Sequence, residues 1–120
     1  MASIAELGAR AKAASRVLAT ASTAAKDGAL RAAADLLVER SPEILAANVD
    51  DVGRAEGEGV SATVVDRLRL SHARVEAMAE GLRKVATLPD PVGEVTDGWT
   101  RPNGLRIERV RVPLGVVAII

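Results

Sequence analysis

The groups that could attack a substrate, carry a proton or hold a metal are few in this chain. Cysteine is absent, and His72 is the single histidine. No thiolate nucleophile and no sulfur ligand can come from these residues. His72 follows Ser71 near a helix start. It has no second His or Cys at ligand spacing, and it reads as a solvated helix residue. Gly57-Glu58-Gly59-Val60-Ser61-Ala62 matches the dinucleotide fingerprint G-x-G-x-x-A. That fingerprint holds a pyrophosphate only where it leaves a strand and opens a helix. Here a helical pattern precedes it, so a helix C-cap and turn is the favoured reading.

Two polar clusters remain. Arg101, Arg106, Arg109 and Arg111 crowd one short stretch. An anion or nucleic acid could use them. Charges that keep a strand edge from aggregating, or a subunit contact, are the favoured reading. Asn48-Val49-Asp50-Asp51 places polar groups in a helix interior, where Asn and Asp compete for backbone hydrogen bonds. No partner base or nucleophile accompanies them. They read as fastening their helix to a neighbouring segment. Neither a catalytic residue nor a metal ligand is assigned.

Composition limits what could surround such groups. Hydrophobic residues are 48% of the 120, and Trp99 is the one aromatic residue. A core must be built from Ala, Val, Leu and Ile, which suits packed helices better than a ring-lined pocket. Sixteen basic residues balance sixteen acidic ones, which argues against nucleic acid as a partner. No apolar run approaches ~18 residues, and the N-terminus has no apolar signal core. The expectation is a cytoplasmic protein with no membrane partner.

The first ninety residues read as helices. Ser3 and Glu6 form a capping box, followed by an apolar stripe of Ile4, Leu7, Ala11, Ala14, Leu18 and Ala21. Thr23 is read as the cap of a second helix, with Leu30, Ala33, Ala34, Leu37 and Val38 on its buried face. Ser41 is read as the next cap, with Pro42 at the first helical position. That helix carries Ile44, Leu45, Val49 and Val52. Ser61 opens a short helix with Val64, Val65 and Leu68. Ser71 caps a last one with Val75, Met78, Leu82 and Val85, stopped by Leu88-Pro89-Asp90-Pro91.

Beyond Pro91 the pattern becomes extended. Residues 95–100 read as a strand, Arg101-Pro102-Asn103-Gly104 as a turn, and the return strand starts at Leu105. Leu105 and Ile107 share a face, but Val110 and Val112 take the opposite phase. A period of two cannot change phase without an irregularity, so a bulge or bend is expected near Glu108 and Arg109. After Pro113-Leu114-Gly115, Val116 to Ile120 runs apolar without alternation. That pattern marks a strand buried on both faces of a parallel sheet. Such a strand needs neighbours reached by long crossovers. The expectation is therefore a piece of a longer α/β protein.

Several strings in order resemble the gamma-glutamyl phosphate reductases. They are Ala11-Lys12-Ala13-Ala14-Ser15-Arg16-Val17-Leu18-Ala19, Ile44-Leu45-Ala46-Ala47-Asn48 with Asp51-Val52, and Asp66-Arg67-Leu68-Arg69-Leu70. The most specific run is residues 88–95, Leu-Pro-Asp-Pro-Val-Gly-Glu-Val. It is followed by Asn103-Gly104-Leu105-Arg106-Ile107 and by residues 109–116. Pro113-Leu114-Gly115-Val116-Val117 also resembles the wider aldehyde dehydrogenase superfamily. The resemblance implies an α/β, aldehyde dehydrogenase-like fold in the full protein. It divides this chain into a helical N-terminal region of the cofactor-binding domain (1–90), a β-hairpin oligomerisation arm (91–112) and the first strand of the NADP-binding sheet (113–120).

The same resemblance implies reduction of glutamate 5-phosphate with NADP(H) in proline biosynthesis, through a cysteine thioester outside this chain. It also implies a homo-oligomer formed through residues 94–112. The cofactor positions it offers are Ile119 and Ile120. The competing readings are a non-catalytic helical and β-ribbon interaction module, and a nucleic-acid-binding ribbon. Balanced charge and the single aromatic residue count against the second. A run of five exposed apolar residues, an aggregation hazard, counts against the first.

Overall fold

The computed structural model describes residues 3–119. Five helices precede one β-ribbon: α1 (Ile4–Leu18), α2 (Thr23–Glu39), α3 (Ser41–Gly57), α4 (Ala62–Leu68), α5 (His72–Val85), β1 (Val95–Thr100) and β2 (Arg106–Val110). They form two compact units. Residues up to Lys26 group with those from Pro89 onward, and Asp27–Leu88 form the other unit. α1 and the start of α2 thus group with the ribbon.

The Asp27–Leu88 unit holds the core. Its buried apolar residues are Ala34, Val52, Val65, Val75, Ala79 and Ala86. Without Phe or Tyr, close approach of helices replaces large side groups, and Val75 is the largest one fully enclosed. Only Ala34 of the face assigned to α2 is buried. Ala33 is exposed, Val38 is 39% exposed, and Leu30 and Leu37 are partly covered. Polar ties fasten the unit's helices at their edges. Arg83 meets Asp35 at 2.9 Å, and Arg31 donates to the carbonyl of Ala86 at 3.4 Å.

Helix boundaries follow their chemistry, with two corrections. The Ser3–Glu6 capping box forms, with the Ser3 amide 2.7 Å from the Glu6 carboxylate. That amide, then the Ser3 hydroxyl, hold the Glu6 carboxyl below its usual range. Ser71 caps α5 by accepting from the Arg74 amide. At α2 the cap is Ser22, whose hydroxyl accepts from the Ala25 amide at 3.2 Å, rather than Thr23. At α3 the cap position falls on Arg40, and Ser41 lies inside the first turn, buried. The break between α2 and α3 is proline's doing. Pro42 has no amide to give to Val38, and its ring would clash with that carbonyl.

The ribbon is antiparallel, and its turn is Pro102-Asn103-Gly104. The Gly104 amide donates to the Arg101 carbonyl at 2.9 Å, and the Arg101 amide to the Leu105 carbonyl at 2.8 Å. Gly104 sits at φ +84, so this is a type I turn closed by a left-handed glycine. Ile107 pairs with Trp99, Glu108 with Gly98 and Arg109 with Asp97. The irregularity lies opposite Arg109 and Val110, but in the other strand. The extra residue is Thr96, between Val95 and Asp97, and its hydroxyl donates to the Arg109 carbonyl at 3.2 Å. The bulge turns Val95 to pair with Val110, while Trp99 and Ile107 occupy the opposite face.

Two apolar segments bury no residue of their own. The apolar stripe of α1 is exposed, with no buried residue in the helix. Residues 116–119 form no strand, because a strand needs a hydrogen-bonded neighbour and none among the described residues pairs with them. Ile120 lies outside the described residues.

Candidate functional site

The glycine motif of residues 57–62 is a helix terminus. Gly57 ends α3, Glu58 caps it and Gly59 takes φ +74. The Val60 amide donates to the Ala55 carbonyl at 3.1 Å and the Gly59 amide to the Glu56 carbonyl at 3.1 Å. Those two bonds define a Schellman C-cap. The Glu58, Gly59 and Val60 amides are thus used within the helix end.

Asn48 lies on the stripe Ile44–Asn48–Val52, facing inward at 9% exposure. Its Nδ2 donates to the Leu68 carbonyl at 3.0 Å, and its Oδ1 accepts from the Leu70 amide at 2.7 Å. One amide group thus closes the open backbone between α4 and α5, where the Arg69 amide returns to Val65. Arg74 completes the fastening by donating to the carbonyls of Asp66 and Arg69. Arg69 itself pairs with Glu56 at 2.7 Å. The fastening role read from Asn48 is what the geometry displays. Asp50 is exposed, and Asp51 pairs with Arg54 at 3.5 Å. The Nδ1 of His72 lies 3.4 Å from the Ser41 hydroxyl, an exposed ring beside a buried serine.

Sequence reasoning missed a junction at Asp90. Its carboxylate accepts from Lys26 Nζ at 2.7 Å, from the Thr23 hydroxyl at 3.0 Å and from the Val92 amide at 3.1 Å. The Lys26 hydrogen bond first, then the Val92 amide, hold its carboxyl below the usual range. The Asp between two prolines in Leu88-Pro89-Asp90-Pro91 was the available signal, since proline fixes the backbone around an acceptor.

The arginine cluster spreads along the ribbon and does not converge. Arg106 meets Glu108 at 2.9 Å, and Arg111 meets Glu94 at 2.9 Å. No joint anion site results. Among the described residues, no group of three or more His, Asp or Glu could hold a metal ion. Among them too, no helix is long and apolar enough to cross a membrane.

A nicotinamide cofactor would need donors and an enclosed surface. Ile119 is 92% exposed, and its side chain has no donor. The described residues do not by themselves fit that group, and Ile120 lies outside them.

Comparison with known proteins identifies the scaffold. No family model matches the chain. A gamma-glutamyl phosphate reductase of Mesorhizobium japonicum is 57% identical over 117 residues, 98% of this chain and 27% of that protein. One from Brucella suis is 54% identical over 117 residues, 98% of this chain and 28% of that protein. The crystal structure of gamma-glutamyl phosphate reductase from Thermotoga maritima superposes with a TM-score of 0.86 at 45% identity, covering 91% of this chain and 26% of that one. The enzyme from Saccharomyces cerevisiae gives 0.83 at 29% identity, covering 94% of this chain and 29% of that one. The chain thus spans little more than a quarter of the curated relatives it matches. Along nearly its whole length the chain is similar in sequence and fold to gamma-glutamyl phosphate reductases, at their N-terminal region.

Proposed function

We propose that this chain is the N-terminal part of an oxidoreductase that reduces L-glutamate 5-phosphate to L-glutamate 5-semialdehyde and phosphate in proline biosynthesis. A match over 98% of this chain, at 57% and 54% identity, to proteins named gamma-glutamyl phosphate reductase supports the reading. The hydride would come from NADPH. The covalent step would use a cysteine outside these 120 residues, whose thiolate displaces phosphate to give a thioester. This chain would contribute scaffold: a helical unit closed by Asn48, and a ribbon. A contribution of Ile119 and Ile120 to the cofactor site belongs to the same proposal and requires neighbours from outside the chain. So do a cytoplasmic location and a homo-oligomer formed through residues 94–112, a ribbon whose two strands bury no residue of their own.

The test is a chimera. The matching N-terminal segment of an intact gamma-glutamyl phosphate reductase is replaced by residues 1–120, and the chimera is expressed in a proline auxotroph lacking that enzyme. Growth without proline is expected. A soluble, full-length chimera that never restores growth would refute the reading. The purified 120-residue chain alone is expected to oxidise no NADPH with glutamate 5-phosphate, and turnover by the pure chain would contradict the placement of the chemistry.

A further inference from the structure

The chain has two asparagines and no glutamine, and the fold treats the two amides in opposite ways. Asn48 is buried in α3, both its polar atoms are engaged, and the β-branched Val49 follows it. Asn103 is exposed at the ribbon turn, and Gly104 follows it. We propose that Asn103 is a site of spontaneous modification, converting through a cyclic imide with Gly104 to aspartate and isoaspartate.

The reacting atoms are adjacent. The Gly104 backbone nitrogen is the nucleophile, and Asn103 Cγ is the electrophile. Gly104 carries no Cβ to obstruct the approach, and nothing lies within 4 Å of where one would stand. The Asn103 Oδ1 accepts from the Leu105 amide at 3.1 Å. That bond withdraws electron density from Cγ and can hold the oxyanion that forms as nitrogen adds. One bond opposes the reaction, since the Gly104 amide donates to the Arg101 carbonyl at 2.9 Å. Both residues are exposed, so water can take over that bond at little cost.

The balance closes with water as the sole co-reactant. The Gly104 nitrogen loses its proton and bonds to Cγ of Asn103. The bond from Cγ to Nδ2 breaks, and Nδ2 leaves as ammonia. Water then adds to one carbonyl of the five-membered ring. Cleavage between Cγ and the ring nitrogen gives aspartate. Cleavage between the ring nitrogen and the backbone carbonyl carbon of residue 103 gives isoaspartate. Either product puts a negative charge between Arg101 and Arg106 in the sequence. Isoaspartate also adds a carbon to the backbone, which a three-residue loop with a left-handed glycine cannot absorb while keeping its register.

The experiment incubates the purified 120-residue chain at mildly alkaline pH beside a free peptide of residues 99–107. Peptide mapping follows the mass gain of exchanging NH2 for OH, and an isoaspartyl methyltransferase reports the rearranged product. Asn103 is expected to convert faster than Asn48 by about a hundredfold or more, a barrier difference of ~2.7 kcal/mol. The Asn103→Ser variant is expected to lose the modification. An unmodified Asn103 when the peptide has fully converted would overturn the proposal. So would equal conversion at both asparagines, or an undiminished signal in Asn103→Ser.

Discussion

Replacing Asn48 with alanine removes the side group that holds both the Leu68 carbonyl and the Leu70 amide between α4 and α5. Two partners lose their bonds: the Leu70 amide, 2.7 Å from Oδ1, and the Leu68 carbonyl, 3.0 Å from Nδ2. A buried group left unsatisfied costs about 1–3 kcal/mol. Both partners are only partly enclosed, and a cleft of about 490 Å³ adjoins Asn48 and Leu70. Water can therefore restore part of the loss, and the low end applies, roughly 1 kcal/mol for each partner. Alanine is the better helix former by about 0.5 kcal/mol, which offsets a little. The net expectation for Asn48→Ala is a loss of ~1.5 kcal/mol, bracketed by about 1 and 3. In a unit this small that lowers the midpoint of thermal unfolding by ~6–12 °C.

Far-UV circular dichroism during urea and thermal unfolding measures that loss, because Trp99 lies in the other unit. Asn48→Asp separates the two halves of the fastening. It keeps an acceptor for the Leu70 amide but faces the Leu68 carbonyl with a carboxylate, so it should destabilise at least as much as alanine. Hydrogen exchange at the Leu70 amide supplies a local reading, and protection there should vanish in Asn48→Ala. A loss below about 0.5 kcal/mol, in the range of ordinary surface changes, together with unchanged Leu70 protection, would refute the reasoning.

Three further outcomes are expected. Because its partners depress the Asp90 carboxyl, Asp90 stabilises the folded chain above its ordinary value of 3.8, and that contribution is lost as pH falls through the depressed folded value. A carboxyl carbon NMR titration checks this, and an Asp90 midpoint at or above 3.8 would contradict it. Gly59→Ala should cost about 1–2 kcal/mol in urea unfolding from the left-handed backbone alone, since φ is +74 and the space around it is open. Val75→Ala, at 1% exposure, should cost ~1.5–3 kcal/mol, while Leu114→Ala, at 89% exposure, should change stability by less than about 0.5 kcal/mol.

The two misplaced caps share one physical cause. Ser22 and Thr23 are adjacent hydroxyls, either of which could cap α2. Thr23 is drawn off by Asp90, 67 residues away, so Ser22 caps. Ser41 is likewise drawn toward His72, 31 residues away, and the cap position slips to Arg40. Local chemistry fixes that a helix begins there, and a distant partner fixes which residue begins it. The bulge follows the same logic. The slipped phase of Val110 and Val112 requires an irregularity in the pair, but either strand can supply the extra residue, and Thr96 of β1 does. Asn48 was legible because an asparagine in a helix interior competes for backbone hydrogen bonds, and here a neighbouring segment supplies them.

Periodicity reports which face of an element is apolar and is silent about what covers it. In the Asp27–Leu88 unit the protein supplies part of the cover itself, burying Val52, Val65, Val75 and Ala79 while Val49 stays 70% exposed. In the other unit the same kind of pattern stays open. Ile4 is 88% exposed on α1, Leu114 is 89% exposed and Ile119 is 92% exposed. Single exposed apolar residues are ordinary, but contiguous runs on a soluble protein mark surfaces meant for contact. The ribbon makes the same point on two faces at once, because the bulge at Thr96 sets Val95 and Val110 on one side while Trp99 and Ile107 hold the other. A two-stranded ribbon with apolar residues on both faces is marginal alone. In the reading proposed above, the part of the relatives' length that this chain does not span, and a second subunit, are what those faces meet. The helical unit is then the part whose stability can be measured on this chain, and the ribbon the part whose stability depends on its partners.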